Sequence, residues 1–335
     1  MDSIGIHPFV WLAIVQNPLV WVLIACLLDR VIGDPRCCPH PVVVMGWCIA
    51  RLRSLAEAWA GDDCRRLRLA GLLITLLLVG GSAWAGSALT ALVQLAPSGS
   101  PLQSAAWVVM LIALASALAG RSLEQAVQHV LAAVAAGDLP QARERLAWIV
   151  GRDTEGLSQA EVLRALAETA SENAVDGLFA PLFWMLVGAA VGQPLAAAWG
   201  FKAASTLDSM LGYRSGRLRW LGTAGARLDD VLVWLPCRLV ALSLGQLRPA
   251  LCDGAPDPSP NAGVSQAAYA HAVGVQLGGA NCYRGQVRVK PLLAQGAPLP
   301  DAAAVRRMLQ ITRRVQVLWL VIGAGLVAYI TKALS

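Results

Sequence analysis

From residue 69 to residue 120 the sequence runs for 52 positions without an Asp, Glu, Lys, Arg or His. Lipid offers no water to satisfy the backbone, and a helix crosses its hydrocarbon core in about 20 residues. The run is long enough for two crossings, and the turn-forming stretch PSGSP at 97–101 lies where they would reverse. Residues 69–120 are therefore read as a transmembrane helical hairpin. The rest of the chain agrees, since 56% of its 335 residues are apolar and only 14% charged, far from the usual soluble balance. The expected fold class is an all-α polytopic membrane protein, a helical bundle with cytoplasmic helices and long polar loops, in a single membrane-embedded domain over 1–335.

Arginine placement orients the bundle. Arg65, Arg66 and Arg68 precede the hairpin, Arg121 follows it, and its turn is uncharged, so the positive-inside rule puts both ends in the cytoplasm. Residues 315–331 form another uncharged run, preceded by Arg306, Arg307, Arg313 and Arg314, and are read as a C-terminal transmembrane helix ending outside. The first apolar stretch, residues 3–28, is broken at Asn17 and Pro18 and followed by seven arginines from Arg30 to Arg68. It is expected as a retained anchor whose polar end is cytoplasmic. The middle has two solutions. Residues 177–201 are uncharged but carry Pro181, Gly188 and Pro194, and residues 231–247 carry Pro236 and Arg238 at their centre. Either at least one is re-entrant or bundle-buried, leaving 202–314 as cytoplasmic loops and short segments, or both cross and 202–230 lie outside.

The 27 Lys and Arg, nearly all arginine, outnumber 21 Asp and Glu. They sit beside apolar runs and not in basic runs interleaved with aromatics, which suits membrane anchoring and anion binding and argues against nucleic acid. The eight cysteines form no CxxC pair and are expected as free thiols in a reducing compartment. Adjacent Cys37 and Cys38 point poorly for one tetrahedral metal ion.

Residues 121–176 change character. Leu123, Val127, Val130, Leu131 and Val134 recur at helical spacing, Gly137 is a stop signal and Asp138 before Pro140 an N-cap, so cytoplasmic amphipathic helices are expected. Ser158, with Glu161 three residues on, opens a helix on which Glu161, Glu168, Glu172 and Asp176 share one face. Such a stripe is most commonly solvated. A metal or catalytic role competes at its lower end, because Glu172 and Asp176 adjoin the apolar run at Gly177, where an unpartnered charge is costly. Residues 249–300 are rich in Pro, Gly and Asn; the helix-like stretch 266–276 and the cluster Tyr283, Arg284, Arg288 and Lys290 favour an ordered loop over disorder.

No phosphate loop, HExxH, GxSxG or kinase-like set occurs. Polar clusters beside apolar segments take their place: Asp29 and Arg30 with Asp34 and His40; Glu172 and Asn173 with Asp176; Lys202 with Asp208; Arg227 with Asp229 and Asp230. Four clusters on one side suggest one shared site. The stretches that carry them are LDRVIGDPR at 28–36 with HPVVVMG at 40–46, ASENAVDG at 170–177, TLDSMLGYR at 206–214, ARLDD at 226–230 with WLP at 234–236, and SPNAG at 259–263 with LGG at 277–279. In this order, over 28–291, they resemble the adenosylcobinamide-phosphate synthase family. Departures are Ser205, where the family pattern has Asn, and SGRL at 215–218; Asp208, Tyr213 and Arg214 around them match.

The resemblance implies an ATP- and magnesium-dependent ligase that joins aminopropanol or its phosphate to the propionate carboxyl of adenosylcobyric acid. It further implies a multi-pass protein of the bacterial inner membrane, its active site facing the cytoplasm, in contact with membrane lipid and with other cobalamin-biosynthesis enzymes. The adenosylcorrinoid would be substrate, not prosthetic group. Carried onto this chain, Glu172, Asp176, Asp208, Asp229 and Asp230 become the catalytic carboxylates, with Glu172, Asp176 and Asp208 as magnesium ligands. Lys202, Arg214 and Arg227 become the phosphate-binding cations, and Asp29, Asp34, Asn173, Tyr213, Asn261 and Tyr283 the substrate contacts. His40 is the candidate for taking the proton of the attacking amine, against the commoner fate of a histidine packed at a helix start. Bland readings stand beside these: Arg227 with Asp230 as a helical salt bridge, Asp29 with Arg30 as interface anchors, Asn261 with Gly263 as a plain turn. Competing functions are a permease, against which the charge-free run at 69–120 counts, and a non-catalytic scaffold for corrinoid enzymes.

Overall fold

The computed structural model describes residues 17–33, 40–97 and 100–334, with side chains as far as Tyr329. Asp34, Cys37, Cys38 and most of the first apolar stretch lie outside the described residues. In chain order the helices are α1 (Pro18–Val31), α2 (Pro41–Ala60), α3 (Cys64–Leu95), α4 (Pro101–Ala115), α5 (Gly120–Ala135), α6 (Leu139–Ala147) and α7 (Gln159–Ala174). A π-helical turn, Val175–Phe179, joins α7 to α8 (Ala180–Ala190), and then come α9 (Pro194–Leu211), α10 (Leu218–Leu221), α11 (Thr223–Ser243), α12 (Leu247–Gly254) and α13 (Ala262–Val273). Strands β1 (Leu277–Tyr283) and β2 (Gln286–Leu293) precede the last helix, α14 (Ala302–Leu334).

Several starts are dictated locally. Proline opens α1, α2, α4 and α9, where its missing N–H costs nothing. Asn17, Asp63, Ser100 and Asp138 accept backbone N–H groups of α1, α3, α4 and α6, and Ser158 with Glu161 completes a capping box on α7.

Among the described residues, three helices are long and apolar enough to cross a membrane: Cys64–Leu95, Gln159–Ala190 and Ala302–Tyr329. The uncharged run 69–120 is divided between α3 and α4. With only 15 residues, α4 does not reach spanning length by itself. The uncharged run at 315–331 is the later part of α14, whose arginine-bearing start is helical too. Residues 231–247 lie mostly in α11, which is not one of the three.

The chain divides into two compact units, each built from separated stretches: the described part of Met1–Leu118 with Pro181–Asp229 and Leu320–Ser335, and Ala119–Ala180 with Asp230–Trp319. In the first unit, α2, α3 and α9 share a core of Met45, Ile49, Leu67, Ile74, Leu78, Leu207 and Leu211. The opposite face of α3 is apolar as well, with Leu69, Leu72, Leu73, Leu76 and Leu77 exposed. A helix hydrophobic all round fits a lipid surround. Where α3 crosses α9, a Cβ on Gly86 would lie 2.8 Å from the backbone of Ala196, so the approach depends on glycine there.

In the second unit, α5 buries Val127, Val130 and Leu131 as its periodicity predicts. Glu124 beside them accepts from Arg313 of α14, Nε to Oε2 at 3.0 Å. Most of α13 is buried, and its Tyr269 hydroxyl meets the Thr312 hydroxyl at 2.7 Å.

The structure is largely helical, as the all-α reading expects, and adds one antiparallel hairpin, β1–β2, in which Tyr283 pairs with Gln286 and Gly279 with Lys290. Arg284 (φ 52°) and Gly285 (φ 76°) form its two-residue turn, both left-handed, as strand twist favours. At Gly278 (φ 84°) a Cβ would lie 1.9 Å from the carbonyl oxygen of Pro291. The Gly, Pro and Asn of 249–300 thus lie in a segment that is largely helix and strand.

Candidate functional site

The acidic face of α7 is not a solvated stripe. Glu161 serves the capping box at the exposed end, whereas Glu168, one turn above Glu172, is 1% exposed. Its Oε1 accepts the Gly278 N–H at 2.9 Å and an Arg164 N–H at 3.1 Å, and its Oε2 accepts from Arg152. Arg164 also donates to the carbonyls of Gly278 (2.6 Å) and Ala280 (2.8 Å), and Asn281 Oδ1 accepts from Arg152 (2.7 Å) and Arg164 (3.0 Å). A buried carboxylate holds two guanidinium groups, and together they fix β1 against α7.

Beside this network opens a cavity of about 240 Å³, lined by Ile149, Val150, Gly151, Arg152, Thr169, Glu172, Asn173, Tyr283 and Lys290. Its polar side chains come from four places: α7 supplies Thr169, Glu172 and Asn173, the turn after α6 supplies Arg152, β1 supplies Tyr283 and β2 supplies Lys290. Glu172 Oε2 accepts from Gln266 Nε2 of α13 at 2.7 Å, which fixes the carboxylate at the wall. The Asn173 amide donates to the Thr169 carbonyl (3.0 Å) and hydroxyl (2.9 Å). The Arg288 guanidinium lies 5.7 Å from the centroid of the Tyr283 ring. Asp153, next to Arg152, accepts the N–H groups of Arg284 (3.0 Å) and Gly285 (2.8 Å). The Gly285 N–H, the Cys282 thiol and the Arg284 N–H hold its carboxyl below the usual range.

The other expected site residues are distributed as follows. Asp176 sits half-buried on the π-helical turn, a device that recurs at functional sites. Burial pushes the nearby Cys237 thiol up to about 12, with the Asp176 charge acting in the same direction. Asp230 is on α11, and its carbonyl accepts from Asn261 Nδ2 at 2.9 Å. Asn261 is buried, and its Oδ1 accepts from Arg238 at 2.7 Å, so both ends of its amide serve the fold. Arg238 also holds the Pro260 carbonyl at 2.8 Å and stacks on Trp234, which accounts for a charge inside an apolar run.

In the first unit, His40 caps α2, Nδ1 accepting the Val42 N–H at 3.3 Å. Asp29 is buried at the end of α1. Lys202 and Asp208 lie on α9, Tyr213 and Arg214 follow it exposed, and Arg227 and Asp229 are on α11. Of the sequence-predicted residues, Glu172, Asn173 and Tyr283 line the cavity, and Asn261 meets Asp230. Among the described residues, no group of three or more His, Cys, Asp or Glu side chains is placed to hold a metal ion.

Residues 22–312 match the model of the family described as CobD/Cbib protein. The chain belongs to this family. It is 42% identical to a cobalamin biosynthesis protein CobD of Synechocystis sp. over 91% of this chain and 92% of that one. A CobD of Klebsiella pneumoniae is 39% identical over 93% and 96% of the two chains, and a CbiB of Salmonella typhimurium 37% over 90% and 92%. No solved structure matches. The whole cavity lies inside the CobD/Cbib region. Sequence reading missed Arg152, which stands in no motif, and did not assign Lys290 a role; the alternation of Val287, Arg288, Val289 and Lys290 was the signal for a strand that would present it.

Proposed function

We propose that this CobD/Cbib protein is an amide-forming ligase of cobalamin biosynthesis, joining aminopropanol or its phosphate to the propionate carboxyl of adenosylcobyric acid with ATP. The observation that carries the reading is the cavity itself, where Glu172 and Asn173 of the ASENAVDG stretch face Arg152, Lys290 and Tyr283.

In this reading a propionate oxygen attacks the terminal phosphorus of ATP, giving an acyl phosphate and releasing ADP. The amine nitrogen then attacks the acyl carbon, phosphate leaves, and the nitrogen loses a proton. Both steps gather negative charge on phosphoryl oxygens, which cations fixed in a small polar cavity stabilise. Glu172, held by Gln266, is placed to accept a proton from an ammonium or to hold the counter-cation of a phosphate. Magnesium, when bound, would neutralise phosphate charge, with Glu172 and Asp176 as its protein ligands. A site short of three converging acids suits an ion that keeps waters and arrives with its nucleotide.

The helices Cys64–Leu95, Gln159–Ala190 and Ala302–Tyr329 would hold the enzyme in the bacterial inner membrane, with the cavity on the arginine-rich cytoplasmic side. The test is mass-spectrometric detection of the amide product from detergent-purified protein with adenosylcobyric acid, aminopropanol phosphate, ATP and magnesium, each omitted in turn. An ATP-dependent product supports the reading; a folded sample giving none with either amine refutes it.

A further inference from the structure

The cavity is lined by two cations, Arg152 and Lys290, and one carboxylate, Glu172. Arg152 and Arg164 share the single carboxylate of Glu168, so two positive charges meet one negative. Of the five N–H donors of Arg152, one goes to Glu168 and one to Asn281, which leaves three uncommitted among the described residues. Lys290 Nζ lies 3.9 Å from Asp257, beyond hydrogen-bond distance, so its three donors are not consumed there. A planar fork and a point charge carried by different elements of one cavity can hold an anion together. At about 240 Å³ the cavity is smaller than a drug-sized pocket, room for a phosphoryl end group with the rest of its molecule outside.

We infer that Arg152 and Lys290 form a phosphoryl-binding pair, assisted by the Tyr283 hydroxyl, with Glu172 facing the positive centre that accompanies the phosphoryl group. The inference rests on the proposed ligase only for the two sources of such a ligand. One is a nucleotide with its divalent cation, the other a phosphorylated amino alcohol whose ammonium meets Glu172.

Titration calorimetry of the full chain in detergent tests this with magnesium–ATP, aminopropanol phosphate and unphosphorylated aminopropanol as probes. Lys290→Gln and Arg152→Lys are compared with the unaltered protein, and circular dichroism checks folding. The expected result is a Kd raised roughly tenfold to a hundredfold for a phosphorylated probe, the scale of one charge-assisted hydrogen bond, with no change for aminopropanol. Weakening confined to aminopropanol phosphate assigns the pair to the amine substrate, weakening confined to magnesium–ATP assigns it to the nucleotide, and weakening of both assigns it to both in turn. Unchanged affinity for both phosphorylated probes in the two variants, or no binding of either by the unaltered protein, overturns the inference. Binding through Lys290 without any amide product would sink the ligase reading and keep this one; amide formation by Lys290→Gln at unaltered kcat and KM would do the reverse.

Discussion

Replacing Glu168 by Gln removes one negative charge and hardly changes shape, so it isolates what that charge does. The side chain is 1% exposed and accepts from Arg152, Arg164 and the Gly278 N–H. In the variant, one amide oxygen can still accept from Gly278, but the amide nitrogen confronts Arg152, donor against donor. Two guanidinium groups, with side chains 8% and 10% exposed, then lack a counter-charge. Breaking a buried pair from one side costs about 3–5 kcal/mol. At ~2–4 °C per kcal/mol for a unit of this size, the melting temperature should fall by roughly 6–20 °C. Thermal unfolding in detergent measures the total, and hydrogen exchange locates it, with protection lost first across β1 and β2. Adding Arg152→Met removes one of the stranded cations, so the double variant should be less destabilised than the sum of the two singles. An unchanged melting temperature with unchanged exchange over residues 277–293 would refute the assignment of Glu168 as the group that fixes the hairpin.

Glu172→Gln should abolish amide formation while leaving the melting temperature within about 2 °C, because this carboxylate has a single neutral partner at a cavity wall. Asp153 has its carboxyl pKa lowered in the folded state, so its contribution holds above the ordinary carboxylate value near ~3.9 and fades as pH falls through the folded value. Exchange of the Arg284 and Gly285 amides should therefore differ between the unaltered protein and Asp153→Ala from neutral pH down to ~3.9 and converge only as pH falls through the lower folded value; a difference that persists once the carboxyl is protonated would count against it. Cys237, buried and with its thiol pushed up to about 12, should resist maleimide in the folded protein while exposed Cys64 and Cys252 react. Gly86→Leu should weaken the α3–α9 crossing by at least ~1–3 kcal/mol through overpacking, read as a lower melting temperature.

Much of the fold was legible where a local signal suffices. The capping box at Ser158, the Asp138 cap and the amphipathic face of α5 follow from spacing within a few residues. The long uncharged run predicted apolar helices at α3 and α4, but not that α4 would stop at Ala115, short of spanning length. The hairpin escaped because its signal is split: four of the seven residues of β1 are Gly, Ala or Asn, and it is anchored by Glu168 and Asp153, which lie outside it in sequence. The site divides in the same way. Glu172, Asn173 and Tyr283 stand in readable patterns, whereas Arg152 is brought to them by a contact 16 residues away with Glu168, which no periodicity encodes.

A two-stranded hairpin by itself is barely stable in water, and this one is moored at both ends, its base by Glu168 to Gly278 and its tip by Asp153 to Arg284 and Gly285. Tyr283 and Lys290 therefore reach the cavity on a backbone already immobilised before any ligand arrives. Much of the ordering that a loose loop would undergo on binding, about 0.5–1.5 kcal/mol for each side chain, is removed in advance. The gain should appear as slow release of ligand. It also means that the hairpin is not a portable module: transplanted without α7 and the turn at Asp153, the same residues 277–293 would lose the stiffness that makes them useful.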